Sequence, residues 1–176
     1  MKLRTFIALG IIIGVVLADF LIKQAVMNDM MLYERIEVTS WFHLFYTENQ
    51  GMAFGMSFFG TWILALLRIV AIGGFGWYLT TCIKRQHPIG FIVCVAMIIA
   101  GALGNIIDNV FYGTEWFNGR VVDMFYFPLW EWPSWVPVLA GRTFFGAVFN
   151  FADASISCGA IALILFYSRF LTRAND

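Results

Sequence analysis

Two aspartates, Asp123 and Asp153, stand in stretches of mainly apolar sequence. Residues 121–122 and 124–126 on either side of Asp123 are apolar, so we expect partial burial there, which raises the pKa of a carboxyl group. Two close carboxylates cannot both ionise cheaply, and one of them keeps a proton. The ionised member can take a proton from water while the protonated member polarises a peptide carbonyl. Such a pair hydrolyses peptides without a covalent intermediate, although a proton- or cation-coupled transporter would use buried carboxylates equally well.

Other polar residues occur at helical spacings in apolar sequence. Asp19 and Lys23 are four residues apart, which brings them together on one helical face as an ion pair. Asn150 precedes Asp153 by three residues, which also places the two on one helical face, and an asparagine amide can hold a carboxylate by donating its hydrogens. A further stripe on one helical face comprises Gly101, Gly104, Asn105 and Asp108. Close helix packing explains the small residues of that stripe, but not its asparagine and aspartate.

The composition indicates that these residues lie in a membrane protein. Of 176 residues, 61% are hydrophobic and 12% are charged, whereas soluble domains have about 25% charged residues. A disordered chain and a collagen-like rod are excluded by the same figures. The formal net charge is zero, so no overall field attracts nucleic acid, and no nucleic-acid partner is expected. Neither His43 nor His87 has the spacing of a metal site.

Four stretches are apolar and long enough to cross a bilayer, which takes about 20 residues. They are residues 5–27, 61–83, 89–107 and 147–170. The first is too long for a cleavable signal peptide and carries Asp19 and Lys23 where a small-residue cleavage site is needed, so we expect it to be retained. The whole chain, 1–176, is then a single membrane-embedded domain.

Basic residues predict the orientation of these spans. One set of flanks holds six basic residues against one acid: Lys2, Arg4, Lys84, Arg85, Arg169 and Arg173 against Asp176. Because short cytoplasmic segments carry an excess of Lys and Arg, we expect both termini inside and the loops 28–60 and 108–146 outside. The polar residues of the four spans then gather at one depth near the outer face, which a purely structural membrane subunit would not require.

The predicted outer loops differ in composition from the four spans. Residues 35–46 are rich in β-branched and aromatic side chains and predict one or two short strands. Residues 127–135 contain three Trp and two Pro, which suits either an aromatic belt at the headgroups or a platform for a molecule arriving within the bilayer. The expected fold is an all-α integral membrane protein with four transmembrane helices. A small extracytoplasmic β-rich segment and an outer amphipathic, aromatic loop complete it.

Five short motifs, in order along nearly the whole chain, resemble those of bacterial lipoprotein signal peptidase, also called signal peptidase II or prolipoprotein signal peptidase. They are DFLIK at 19–23, NQGMAFG at 49–55, GALGNIID at 101–108, GRVVD at 119–123 and FNFAD at 149–153. Each motif alone is weak, but the five in order on four spans are specific.

The resemblance implies an intramembrane aspartyl endopeptidase that removes the signal peptide from diacylglyceryl-modified prolipoproteins by cleaving before the lipidated cysteine. Its catalytic pair would be Asp123 and Asp153. Substrate-binding or supporting positions would be Asp19, Lys23, Asn49, Gly51, Gly104, Asn105, Asp108, Asn150 and Ala152. No metal or organic cofactor is implied. The expected enzyme is a monomer surrounded by membrane lipid in the bacterial cytoplasmic (inner) membrane, with both termini cytoplasmic and the active site near the outer face.

Two features depart from the family pattern. The arginine usually found after the aspartate of the third motif is Asn109 here, and Arg68, Arg120 and Arg142 are the candidates to replace it. The segment between the two aspartates is also longer than expected, and its extra length suits a larger lid over the site.

Other functions fit the sequence less well. A small transporter or channel remains the main alternative, but the four spans show no pair of similar halves. Other intramembrane peptidases would be expected to show G-x-G-D, G-x-S-x-G or H-E-x-x-H motifs, and the sequence contains none of these.

Overall fold

The computed structural model describes residues 1–49, 61–112 and 119–172. Within these residues the helices are α1 (Lys2–Asp29), α2 (Thr61–Lys84), α3 (Ile89–Phe111) and α4 (Phe151–Thr172). The strands are β1 (Arg35–Thr39), β2 (Phe42–Asn49), β3 (Val121–Tyr126), β4 (Trp130–Glu131), β5 (Thr143–Phe144) and β6 (Val148–Phe149). Strands β1 and β2 lie between α1 and α2 in sequence, and the other strands lie between α3 and α4.

All four helices are long and apolar enough to cross a membrane, which confirms the predicted membrane architecture. Two approximate predicted bounds differ by four residues from the observed helices. The fourth span begins at Phe151 rather than at 147, because residues 148–149 form a strand that pairs with β3. The third span ends at Phe111 rather than at 107. Asp108 therefore belongs to the helix and not to the outer loop, and a buried lysine partner permits it to stay there.

Helix α3 is the centre of the bundle and packs against α1, α2 and α4. In its most apolar stretch 56% of the residues are buried, whereas the other three helices reach at most 17%. Gly101 lets α4 approach α3, because a Cβ at this position would lie 2.3 Å from the carbonyl oxygen of Ala152. The outward faces of the other helices carry exposed apolar side chains such as Ile13, Leu67 and Ile164. Such a surface suits contact with lipid tails.

Strands β1, β2, β3 and β6 form an antiparallel sheet in that order. The strands predicted within residues 35–46 are confirmed as β1 and β2, although β2 continues beyond that stretch. In the sheet Thr47 lies opposite Asp123, and Phe149 lies opposite Phe125. Because α4 begins directly after this short pairing, the sheet holds the start of α4 beside the strand that bears Asp123.

The long segment between the two aspartates contains a hairpin formed by β4 and β5. Trp130 stacks on Phe144 with ring centroids 3.9 Å apart, and Trp132 packs edge-on against the same phenylalanine. Trp130 and Trp135 are 50% and 79% exposed. Exposed indole rings on an outer segment suit the headgroup region, and the role of this hairpin as a lid stays a prediction.

Candidate active site

The two aspartates lie where β3 meets the start of α4. Asp123 is in the middle of β3 and is 1% exposed. Asp153 is in the first turn of α4 and is partly buried. Asn150 directly precedes α4 and is completely buried. Side chains from α1 and α3 surround this junction, so residues that are far apart in sequence form one site.

The side chain of Asn150 links the two aspartates. Its Nδ2 donates to Asp123 Oδ1 at 2.8 Å and is also within hydrogen-bond distance of Asn105 Oδ1, 3.0 Å, and Val122 O, 3.2 Å. Its Oδ1 accepts from the backbone N–H of Asp153 at 2.9 Å. One amide therefore fixes β3, α3 and α4 relative to each other beside both aspartates.

The three-residue spacing of Asn150 and Asp153 reflects the way in which α4 begins. The backbone N–H of Asn150 donates to Asp153 Oδ2 at 3.4 Å, while the Asn150 side chain accepts from the Asp153 N–H. This reciprocal exchange is a capping box, in which the residue before a helix and the third residue of its first turn satisfy each other's N–H groups. The two side chains thus start α4 rather than share a face along it.

Asp123 has a strongly perturbed carboxyl group. Its two oxygens accept hydrogen bonds from the side chains of Asn150 and Asn49. Burial, with the nearby negative charge of Asp153 as the second cause, raises the pKa of Asp123 to about 8. The hydrogen bond from Asn150 and the charge of Lys23 oppose this rise without cancelling it. Asp123 therefore holds a proton at neutral pH, which confirms the desolvation expected from its apolar neighbours.

Asp153 is held by N–H donors on both oxygens. Asn105 Nδ2 donates to Oδ1 at 2.7 Å, and the backbone of Asn150 donates to Oδ2. The carboxyl group lies at the N-terminus of α4, where the helix dipole interacts favourably with negative charge. Because Asp153 is more exposed than Asp123, it is the member of the pair that water or a substrate can reach more easily.

A buried ion cluster supports the pair from α1 and α3. Lys23 Nζ lies 2.7 Å from Asp19 Oδ2 and 2.7 Å from Asp108 Oδ2, and all three side chains are almost inaccessible. Asp19 Oδ1 accepts from the backbone of Ala152 at 2.8 Å, and Asp108 Oδ2 accepts from the backbone of Val122 at 3.1 Å. The cluster therefore ties α1 and α3 to the starts of α4 and β3. The predicted pair of Asp19 and Lys23 is confirmed, whereas its link to Asp108 was not anticipated.

Gly104 is required by this cluster. A Cβ at this position would lie 2.7 Å from Asp19 Oδ2 and 3.0 Å from the Cβ of Ala152. A real Cβ does not come that close to a carboxylate oxygen held by an ion pair. The glycine predicted at this motif position therefore makes room for the ion cluster and for α4.

Arg68 of α2 reaches the same region. Its Nη1 donates to Asn109 Oδ1, and Asn109 Nδ2 donates to Gly119 O at 2.9 Å. Of the other arginines proposed for this place, Arg120 is bound at 3.4 Å to Glu48 near the surface, and Arg142 is exposed. Of the three candidates, Arg68 is therefore the one that contacts Asn109 in the described part of the chain, a choice that the sequence left open.

The structure brings together nearly all the predicted supporting positions. They are Asp19, Lys23, Asn49, Gly104, Asn105, Asp108, Asn150 and Ala152. Gly51 lies outside the described residues. Among the described residues, no group of three or more His, Cys, Asp and Glu side chains is arranged to hold a metal ion.

Comparison with known proteins gives one consistent family. A family model described as signal peptidase (SPase) II matches residues 11–169. A lipoprotein signal peptidase of Porphyromonas gingivalis (strain ATCC 33277) is 40% identical over 192 residues, which cover 95% of this chain and 85% of the relative. A lipoprotein signal peptidase of Amoebophilus asiaticus is 33% identical over 177 residues, covering 89% of this chain and 75% of the relative.

Two solved structures described as bacterial membrane enzymes have the same fold. One is 22% identical with a TM-score of 0.71 and covers 92% of this chain and 87% of its own. The other is 25% identical with a TM-score of 0.69 and covers 90% of each chain.

Proposed function

The chain belongs to the signal peptidase II family, and on this premise we propose that Asp123 and Asp153 are the catalytic pair of an aspartyl endopeptidase. The enzyme is a membrane protease that removes signal peptides from prolipoproteins. The observation that carries the proposal is the single asparagine, Asn150, hydrogen-bonded to both aspartates. It fixes the strand that carries the protonated Asp123 against the first turn of the helix that carries Asp153.

The reaction begins with an asymmetric pair. Asp123 carries the proton because its pKa is raised to about 8, and Asp153 acts as the general base. Asp153 takes a proton from a water molecule as the water oxygen attacks the carbonyl carbon of the scissile bond. Asp123 donates its proton to the carbonyl oxygen, so a neutral tetrahedral diol forms and no oxyanion has to be held.

Collapse of the diol reverses the roles of the two groups. Asp153 passes its proton to the leaving nitrogen as the C–N bond breaks. Asp123 takes a proton back from one hydroxyl of the diol as the new carboxylic acid forms. Each aspartate therefore ends in its starting protonation state, and water is the only reagent consumed.

The supporting residues hold the carboxyl groups of Asp123 and Asp153 in fixed positions. Asn105 and Asn150 hold Asp153, while Asn49 and Asn150 hold Asp123. The buried cluster around Lys23 fixes the elements that carry the pair. Because well-oriented groups remove much of the entropic part of a barrier, such fixed geometry can supply several kcal/mol.

The substrate is proposed to enter with its lipid still in the membrane. The diacylglyceryl group on the cysteine would stay among lipid tails, since each CH₂ kept in hydrocarbon contributes about 0.8 kcal/mol. This anchoring places the bond before the cysteine at the depth of the aspartates. Equal cleavage rates in matched detergent for a prolipoprotein with and without the diacylglyceryl group would refute this part of the proposal.

We infer the following location and form for the enzyme. It is a monomer in the cytoplasmic (inner) membrane, with both termini cytoplasmic and the site near the outer face. The excess of basic residues on the inner flanks supports this orientation. The exposed tryptophans of the hairpin of β4 and β5 would rest at the outer headgroups and close over the bound substrate.

A cleavage assay on a diacylglyceryl prolipoprotein tests the catalytic assignment. Asp123→Asn and Asp153→Asn should each abolish the mobility shift that accompanies loss of the signal peptide. Asp29→Asn is the matched control, because Asp29 is an exposed acid at the end of α1. Normal cleavage by either site variant would show that the pair is wrongly assigned.

A further inference from the structure

Arg68 carries a charge inside a membrane-spanning helix. It lies in α2, about two turns from Thr61, where the helix begins. Arginine is rare in the interior of a membrane span, and where it occurs it usually pairs with another charge, with backbone carbonyls or with a water-filled cavity. The partners of Arg68 therefore indicate the role of its charge.

The direct partner of Arg68 is neutral. Its Nη1 donates to Asn109 Oδ1, and no carboxylate of the described residues lies within the 4 Å of an ion pair. The residue before Asn109 is Asp108, and its carboxyl group accepts from the backbone of Val122, directly before Asp123. The guanidinium thus lies close to the catalytic pair without being neutralised by it.

The remaining N–H groups of the half-buried guanidinium have no side-chain acceptor among the described residues. Its bond to Asn109 is the one side-chain hydrogen bond that Arg68 makes within the described part of the chain. No buried side-chain nitrogen or oxygen of the described residues lacks a hydrogen-bond partner. Since Nε and Nη2 have no such partner and are not sealed in the protein, they are accessible to water or to a ligand.

Asn109 holds the bonded edge of the Arg68 guanidinium. Its amide accepts from Arg68 and donates to the carbonyl oxygen of Gly119, and its side chain is completely enclosed. Gly119 packs so tightly that an added Cβ would lie 2.4 Å from Asp108 O. Asn109 is therefore a rigid support that holds one edge of the guanidinium in place.

We propose that Arg68 is a substrate-binding residue that donates from its free N–H groups to backbone carbonyls of the prolipoprotein beside the scissile bond, and that Asn109 positions it. This inference rests on the proposed function. A peptide that enters the membrane without regular helix exposes carbonyl oxygens that lipid cannot satisfy. The planar guanidinium offers several N–H donors in a fixed arrangement and no acceptor. Arg68 would satisfy those carbonyls in the bound substrate and in the transition state alike.

Steady-state cleavage of a diacylglyceryl prolipoprotein tests this role. Arg68→Gln should raise KM by about 10- to 100-fold, the loss expected for a hydrogen bond to a charged group, while kcat stays within about twofold. Asn109→Ala keeps the charge but frees the side chain, and should raise KM by a smaller factor. Arg169→Gln is the control, because Arg169 is an exposed arginine in the last turn of α4.

A rescue experiment separates binding from a structural role. Arg68→Ala removes the guanidinium, and added guanidinium ions should lower its KM towards that of the wild type without acting on the wild type itself. Arg68→Lys retains the charge but not the planar arrangement, and should keep an elevated KM. It also keeps the test possible if Arg68→Gln and Arg68→Ala fail to accumulate in the membrane.

The outcomes distinguish this inference from the proposed function. An unchanged KM for Arg68→Lys or Arg68→Gln, or a fall in kcat alone, would overturn the inference even if both aspartate variants are inactive. Normal cleavage by Asp123→Asn or Asp153→Asn would instead overturn the proposed function. A raised KM with preserved kcat, together with guanidinium rescue, supports Arg68 as a substrate contact.

Discussion

Cleavage should fall when the pH rises through about 8, because Asp123 must carry a proton to protonate the scissile carbonyl. Burial and the charge of Asp153 raise the pKa of Asp123 to about 8, so the proton is present at pH 7 and is lost in mild alkali. Above that pKa each further pH unit reduces the protonated fraction about tenfold. At pH 9 kcat/KM, which reports ionisation of the free enzyme, should therefore be about one tenth of its neutral value.

The same proton has a predictable effect on stability. The folded state favours the neutral form of Asp123, and its carboxyl ionises near pH 4 when the chain is unfolded. Stability from this group is complete below about pH 4 and is lost as the pH rises towards about 8. Asp123→Asn is neutral throughout, so its unfolding temperature relative to that of the wild type should rise steadily across this window.

Two measurements on one detergent preparation test this reasoning. Initial rates at diacylglyceryl prolipoprotein concentrations well below KM give kcat/KM from pH 6 to 10, and a return to pH 7 after each exposure shows whether the loss is reversible. Thermal unfolding of the wild type and of Asp123→Asn is followed over pH 4 to 8. A kcat/KM that stays constant between pH 7 and 10, or a constant difference in unfolding temperature, would refute the assignment of the proton to Asp123.

Three further predictions concern packing and topology. Gly104→Ala should destabilise the fold by about 1–3 kcal/mol, since its Cβ would lie 2.7 Å from a carboxylate oxygen. Thermal unfolding against Gly10→Ala, whose Cβ would meet nothing within 4 Å, checks this, and equal unfolding temperatures would contradict it. Lys23→Met leaves two buried carboxyl groups without their cation and should cost about 3–5 kcal/mol, so near-normal stability in the same assay would speak against an ion cluster. An impermeant thiol reagent added outside should modify Trp132→Cys but not Gln86→Cys, and the reverse pattern would invert the proposed topology.

The parts of the fold that the sequence predicted are those set by composition or by local spacing. Four spans follow from apolar stretches of sufficient length, because lipid demands that property of each helix separately. The pair of Asp19 and Lys23 follows from a four-residue spacing within α1. Neither prediction needs knowledge of how the helices pack.

Contacts between elements were the part that could not be predicted. Asp108 meets Lys23 only because α3 packs beside α1. The choice of Arg68 over the other arginines likewise depends on the approach of α2 to Asn109. Spacing alone does not encode such distances.

The start of α4 was misplaced for a local reason. Residues 147–149 are as apolar as the helix that follows them, so hydrophobicity does not separate strand from helix there. The capping box of Asn150 and Asp153 marks the true start. That pair was interpreted as a shared helical face, because asparagine and aspartate do not form the usual Ser/Thr and Glu/Gln version of the box.

The central claim is that Asp123 and Asp153 act as one unit, and a double-mutant cycle on single-turnover cleavage tests it most directly. The rate of peptide-bond cleavage is measured for the wild type, Asp123→Asn, Asp153→Asn and the double variant, each loaded with diacylglyceryl prolipoprotein. Each single variant should lose at least about 10²–10⁴-fold, and the double variant should lose no more, because members of a catalytic unit are not additive. Losses that multiply in the double variant, or a single variant that retains near-normal turnover, would contradict the account.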